Sequence, residues 1–252
     1  MVASIGLNSE SLQSIADEVA RSLSNAMVDG RSAFITTAVT YSNGSSVVVR
    51  LDHDGEFFFV SDDGQANLNA EMFGGLHVFA RIAVDIAKRF SVDYDQRSFF
   101  ILQVRRHQLP AAVAIIANAS AAAVDRTIQA MERLKIKASR DLFVNRITEA
   151  FGTKAVFDVS VRGSSKEWEV DAAVVADNRV EAVFEFVTPA PPSIAFAHMK
   201  MGDISAMFDR PRTVIVLSDY DRTDAPMRQI LSSSADSVVA AKATTEEYRK
   251  AA

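Results

Sequence analysis

Apolar residues recur at helical spacing at Leu12, Ile15, Val19 and Leu23, which predicts an amphipathic helix over Glu10–Met27 ended by Asp29-Gly30. The period then shortens to that of strands. Runs at Ala33–Thr40, Ser45–Leu51 and Glu56–Val60 are separated by Asn43-Gly44 and Asp54-Gly55, dipeptides suited to tight hairpins, so they predict a three-stranded antiparallel meander. Ser61-Asp62-Asp63-Gly64 closes it and reads as a turn capping a short helix over Ala66–Phe73. A helical period returns over Leu76–Phe90, then extended pieces at Val92–Tyr94 and Ser98–Val104. Pro110 suits the first turn of a long helix reaching about Lys135, with Val124, Ile128, Met131 and Leu134 as one buried stripe.

The pattern restarts at Ser139. A capped helix with Leu142, Phe143, Ile147 and Ala150 inward precedes strands at Ala155–Arg162, Trp168–Ala176 and Arg179–Thr188. A helix at Ser193–Phe208 follows, then a continuous apolar run at Thr213–Ser218, as in a strand buried on both faces. A helix at Asp224–Ser233 and a last strand at Ser237–Ala241 complete the reading. The expectation is an α+β domain with an antiparallel meander over residues 1–137, and an α/β domain over 138–252, with the boundary near Lys135–Ser139.

Composition narrows the chemistry. The 252 residues are 48% hydrophobic and 23% charged, which is ordinary for a folded protein with a substantial core. The absence of cysteine excludes disulfides, thiolate metal sites and cysteine nucleophiles. It also fits a cytoplasmic location, as does an N-terminus without the charge and apolar pattern of a signal peptide. The apolar stretch Leu109–Val124 is Ala-rich and falls short of a membrane span of about 20 residues, so a buried helix and no membrane are expected. Four histidines, at 53, 77, 107 and 198, include no helical zinc pair. The net charge of −5 is spread evenly over both halves, without the basic excess of a strong non-specific DNA binder. Phosphate-loop, dinucleotide-binding and nucleophile-elbow motifs are all missing.

What remains is a pair of acids. Strand alternation places Glu169, Asp171 and Ala173 on one face of one strand and Glu181, Val183, Glu185 and Val187 on one face of the next. The tight Asp177-Asn178 connection sets the two side by side. Two converging carboxylates suit a hard divalent cation, which activates water and neutralises a phosphate under attack. The alternative is a solvated sheet face without metal. His53 and His107 read as surface residues, and Trp168 reads as a core anchor rather than a stacking platform.

Asp171, a spacer of 13 residues, and Glu185-Phe186-Val187 resemble the D…(D/E)-x-K signature of the PD-(D/E)XK phosphodiesterase superfamily, within a similar αβββαβ order. The resemblance implies a restriction-endonuclease-like fold. It further implies Mg²⁺ as cofactor, Asp171 and Glu185 as catalytic metal ligands, and Glu149 on the preceding helix as an auxiliary acid. Val187 stands at the lysine position, where the superfamily positions or activates the attacking water; Lys200 on the next helix, or Lys166, is a candidate replacement. A second resemblance covers nearly the whole chain. Phe59-Val60-Ser61-Asp62-Asp63-Gly64 together with Arg162-Gly163-Ser164-Ser165…Val170-Asp171 looks like a two-domain family of bacterial and prophage proteins whose domains have no assigned function. The resulting expectation is a nuclease-related protein of mobile-element or defence context with a degenerate core, binding nucleic acid or a protein partner. Its alternative is an active Mg²⁺-dependent DNA or RNA phosphodiesterase with a relocated lysine. Substrate and oligomeric state stay open.

Overall fold

The computed structural model describes residues 9–252, with side chains from Leu12 onward. The protein is mixed α/β and divides into two compact units, Met1–Glu132 and Arg133–Ala252.

In the first unit, helix α1 covers Ser9–Ser22, and strands β1 (Asn25–Asp29), β2 (Ser32–Thr40), β3 (Ser46–Asp54) and β4 (Phe57–Ser61) follow. Helices α2 (Gln65–Met72) and α3 (Leu76–Phe90), strands β5 (Asp93–Tyr94) and β6 (Phe99–Val104), and the first part of helix α4 (Leu109–Phe151) complete it. The six strands form one antiparallel sheet in the order β1-β2-β3-β4-β6-β5. The expected meander lies at its centre.

Two expectations fail here. The helix expected over Glu10–Met27 stops at Ser22, because Asn25–Asp29 pairs with β2 in the register Asn25↔Thr36 to Asp29↔Ser32. Asp29-Gly30 is therefore a hairpin turn rather than a helix end, and Met27, four residues after Leu23, continues the helical period only by coincidence. The second failure is the stripe along α4. Val124 is buried in the core, Ile128 packs at its edge, but Leu134 is exposed.

The turn Ser61-Asp62-Asp63-Gly64 does more than cap. Asp62 is fully buried, and its carboxylate accepts hydrogen bonds from the backbone N–H groups of Gly64, Ala66 and Phe99. The Ser120 hydroxyl also donates to it at 2.8 Å, and Tyr41 Oη lies 2.7 Å from the same hydroxyl. One side chain thereby ties the end of β4 to α2, β6 and α4. Burial pushes the Asp62 carboxyl above the usual carboxylate range, against the pull of these donors.

In the second unit, the remainder of α4 precedes strands β7 (Ala155–Arg162), β8 (Glu167–Ala176) and β9 (Arg179–Val187). Helix α5 (Pro191–Ser205), strand β10 (Arg212–Leu217), helix α6 (Ala225–Ser232), strand β11 (Ser237–Ala240) and helix α7 (Thr245–Ala251) follow. The sheet runs β11-β10-β9-β8-β7; β7, β8 and β9 are antiparallel neighbours, while β10 is parallel to both β9 and β11. The apolar run Val214–Leu217 is completely buried because both faces of the sheet are covered. On one face Val183, Val187, Ile215 and Leu217 pack with Ile194, Ala197 and Met201 of α5. On the other, Phe184, Val214 and Val216 pack with Phe143 and Ile147 of α4 and Tyr248 of α7.

No break separates a helix ending near Lys135 from one starting at Ser139: α4 is continuous over Leu109–Phe151. Lys135-Ile-Lys-Ala-Ser-Arg contains no helix breaker, and the Ser139 hydroxyl donates to the Ser218 carbonyl instead of capping a new N-terminus. The segment around α4 is also the one stretch among the described residues long and apolar enough to cross a membrane, but half of its most apolar window is buried in the fold.

Candidate active site

The expected acids meet where the sheet opens. Strands β8 and β9 are paired from Ala176↔Arg179 back to Ala172↔Phe184, and the ladder stops there. Continuing the register by one residue brings Asp171 opposite Glu185. Beyond that point side chains replace the missing ladder bonds. Asp171 Oδ2 accepts the Phe186 N–H at 2.7 Å, and Lys200 Nζ donates to the Glu169 carbonyl at 2.6 Å.

Strict alternation does not persist through this region. Trp168, Val170 and Ala173 all belong to one core cluster, whereas Ala172 and Val174 belong to the cluster on the opposite face. The strand therefore changes its facing at Asp171, and the expected shared face of Glu169, Asp171 and Ala173 is not a regular pleat. A matching irregularity lies on β7. Its pairing skips from Phe157↔Ala172 to Val159↔Val170, and the residue between, Asp158, has a left-handed backbone with φ 49°. Asp158, Asp171 and Glu185 thus stand in a transverse row over three neighbouring strands.

Each central carboxylate has a cation. Lys200 Nζ lies 2.5 Å from Glu185 Oε1, and both side chains are about nine-tenths buried. Arg140 Nη2 lies 2.7 Å from Asp171 Oδ1 and 3.9 Å from Asp158 Oδ1, with its guanidinium 5.8 Å from the centre of the Phe186 ring. Burial drives the Glu185 carboxyl above its ordinary range; the Lys200 hydrogen bond opposes this and the Asp171 charge adds to it. Glu185 Oε2 is buried without a hydrogen-bond partner. A buried carboxylate oxygen in that condition is costly unless something electropositive completes it.

An open pocket of about 370 Å³ adjoins this cluster, lined by residues that include Asp158, Lys166, Trp168, Asp171, Phe196 and Lys200. Trp168 is the buried anchor expected of it, and its indole N–H donates to Asp203 Oδ2 at 2.7 Å. That hydrogen bond, with a further one from the Ser165 N–H, holds the Asp203 carboxyl below its ordinary range. Gly163 is required beside it: a Cβ there would lie 2.2 Å from Asp203 Oδ2 and 2.9 Å from Trp168 Cδ1.

Of the two candidate lysines, Lys200 is the one brought to the acids, while Lys166 lies over the Trp168 ring with Nζ 3.6 Å from its centre. Glu149 is not brought to the cluster. Its exposed carboxylate pairs with Arg146 and accepts from the Thr245 hydroxyl at the start of α7. Accordingly, no group of three or more His, Cys, Asp or Glu side chains is placed to hold a metal among the described residues. Two carboxylates from adjacent strands do suit a magnesium ion that keeps most of its water and takes its remaining ligands from a phosphate. The unpartnered Glu185 Oε2 provides one oxygen for it; Asp171 would have to exchange Arg140 for the ion.

Arg140 and Asp158 were missed from the sequence. Arg140 follows Ser139 in what read as a helix cap, and Asp158 occupies an ordinary outward position of an alternating strand. Only the left-handed kink, invisible in residue pattern, sets Asp158 apart.

The fold and site together define a mixed α/β unit whose sheet opens onto a buried carboxylate–ammonium pair beside a polar pocket. No protein-family model, curated protein or solved structure matches the chain significantly.

Proposed function

We propose that the C-terminal unit is a Mg²⁺-dependent phosphodiesterase core acting on nucleic acid, with Asp171 and Glu185 as metal ligands and Lys200 as the relocated lysine. The observation that carries the reading is the 2.5 Å contact between Lys200 and Glu185. Lys200 reaches the pair from α5, the element that follows β9, and so supplies an ammonium to a motif in which Val187 cannot. The order α4, β7, β8, β9, α5, β10 agrees with the αβββαβ order of the PD-(D/E)XK superfamily, and supports a restriction-endonuclease-like core.

A magnesium ion bound there would polarise the phosphate and lower the pKa of the attacking water. The chain's own contribution is positional. Lys200 is fixed by two acceptors, Glu185 Oε1 and the Glu169 carbonyl, so one N–H remains that a phosphate oxygen or the attacking water would accept. Water would attack phosphorus as it gives one proton to solvent, and the ester oxygen would leave with the bonding pair and take up a proton from solvent. Glu185 must be ionised to serve; its burial opposes that state and the Lys200 hydrogen bond favours it.

The test is cleavage of labelled single- and double-stranded DNA and RNA by the full chain with Mg²⁺ or Mn²⁺. Cleavage that Asp171→Asn and Lys200→Met both abolish is the expected result. A cleavage that survives both substitutions, or none with any substrate, overturns the reading. A second reading, a degenerate core serving as a nucleic-acid- or protein-binding module, is favoured by the Arg140–Asp171 pair, which leaves both acids neutralised from within. Retained nucleic-acid or protein binding without metal-dependent cleavage would select it.

A further inference from the structure

We infer that the C-terminal site takes single-stranded rather than duplex nucleic acid, and that the exposed ring of Phe196 is the platform on which one unpaired base stacks. The inference rests on the phosphodiesterase reading and names its substrate class.

Phe196 and Lys200 are four residues apart on α5, so they occupy one face of that helix. Lys200 Nζ lies 5.4 Å from the centre of the Phe196 ring and 2.5 Å from Glu185 Oε1. The ring is therefore within one nucleotide step of the reactive pair. Phe196 is 49% exposed, while its neighbour Trp168 is 5% exposed. The two rings meet edge to face, 5.7 Å apart at 77°. Trp168 is itself fastened by Asp203, so Phe196 is backed by a fixed aromatic wall and leaves its outer part to the pocket. A stiff, half-exposed aromatic beside a hydrolytic site recognises a base face, which is open in a single strand and covered by its neighbours in a duplex. Lys166 lies at the same pocket, with its Nζ 3.6 Å from the centre of the Trp168 ring.

The pocket's charge adds a condition. Asp158, Glu167, Glu169 and Asp171 line it against two lysines. A polyanion approaching that surface is repelled unless a divalent cation is bound, so binding should depend on the ion as well as on stacking.

Trp168 is the only tryptophan in the chain, so its fluorescence reports on this pocket alone. The full chain is titrated with oligothymidylate, with oligouridylate, and with the oligothymidylate–oligoadenylate duplex. Ca²⁺ supports binding without turnover, and EDTA provides the comparison. Both single strands are expected to quench Trp168 and to bind at least ten-fold more tightly than the duplex, with Ca²⁺ required. Phe196→Ala should weaken single-strand binding by about ten-fold, the size of one base stack, and Phe196→Tyr should restore it. Equal affinity for duplex and single strand, an unaffected Phe196→Ala variant, or no binding overturns the inference. Cleavage that does not distinguish single strand from duplex would leave the phosphodiesterase reading intact while removing this one. Phe196-dependent single-strand binding without cleavage by any metal would do the reverse.

Discussion

Lys200 and Glu185, fifteen residues apart, are joined by a 2.5 Å hydrogen bond at the point where β8 and β9 separate. The helix supplying the ammonium is the crossover between the parallel strands β9 and β10, so the contact depends on α5 being docked against the sheet. Glu185 keeps one oxygen toward Lys200 and one without a partner.

Removing only one member of the pair strands the other. Lys200→Met should destabilise the second unit by about 3 kcal/mol, since a buried carboxylate loses its counter-charge. Lys200→Met combined with Glu185→Leu should recover most of that loss. Urea unfolding of the three proteins checks it; a double variant no more stable than the single one contradicts the pairing.

The acidic side of the pH–rate profile should reflect Glu185. Its carboxyl is raised by burial in the fold, and only the ionised form can ligate a cation. Activity should therefore rise at a higher pH than an ordinary glutamate would set. Lys200 lowers the same group, so Lys200→Gln should move any residual activity's limb upward. The stability sign is opposite: the folded state binds this proton more tightly than the unfolded one. Glu185's contribution is then greatest below the unfolded value of about 4.3 and declines as pH rises toward the folded value. A downward shift of the limb in Lys200→Gln would refute the assignment.

Arg140 competes with any cation for Asp171 Oδ1. Arg140→Met should raise the affinity for Mn²⁺ several-fold, read by calorimetric titration of the full chain. Unchanged affinity would mean that Asp171 does not ligate the ion.

Gly163 leaves no room for a side chain. Gly163→Ala should push Asp203 off the Trp168 indole, costing about 1–3 kcal/mol in chemical denaturation and changing the Trp168 emission maximum. An unchanged spectrum would show that the loop yields freely.

Asp62→Asn should cost the first unit about 3 kcal/mol. An amide cannot accept from three backbone N–H groups and the Ser120 hydroxyl together, because half of it is itself a donor. Thermal unfolding followed by circular dichroism measures this; a loss below about 1 kcal/mol would show that water relieves the network.

How much was legible follows from what each signal encodes. The strands of the second unit were readable because their apolar runs are flanked by Gly163-Ser-Ser and Asp177-Asn178 turns, and Asp171 and Glu185 could be placed from strand order alone. The partner of Glu185 was readable only as a choice between Lys200 and Lys166, since which lysine arrives depends on how α5 packs. Asp158 and Arg140 were not readable at all. A left-handed kink at Asp158 leaves no trace in an alternating pattern, and Arg140, which follows Ser139 in what read as a helix cap, meets Asp171 only once α4 is packed. The β1 strand was lost for a related reason: Val19, Leu23 and Met27 sustain a helical spacing that only pairing with β2 interrupts.

The placement of Lys200 on the crossover helix has a bearing on the order in which the ion pair assembles. The β8–β9 hairpin carries both acids and forms from near neighbours, whereas the ammonium arrives only once α5 has crossed the sheet. On refolding, strand structure should thus be recovered before the Lys200–Glu185 contact forms. A nascent chain would accordingly present both carboxylates on one hairpin before Lys200 and the cover of α5 reach them.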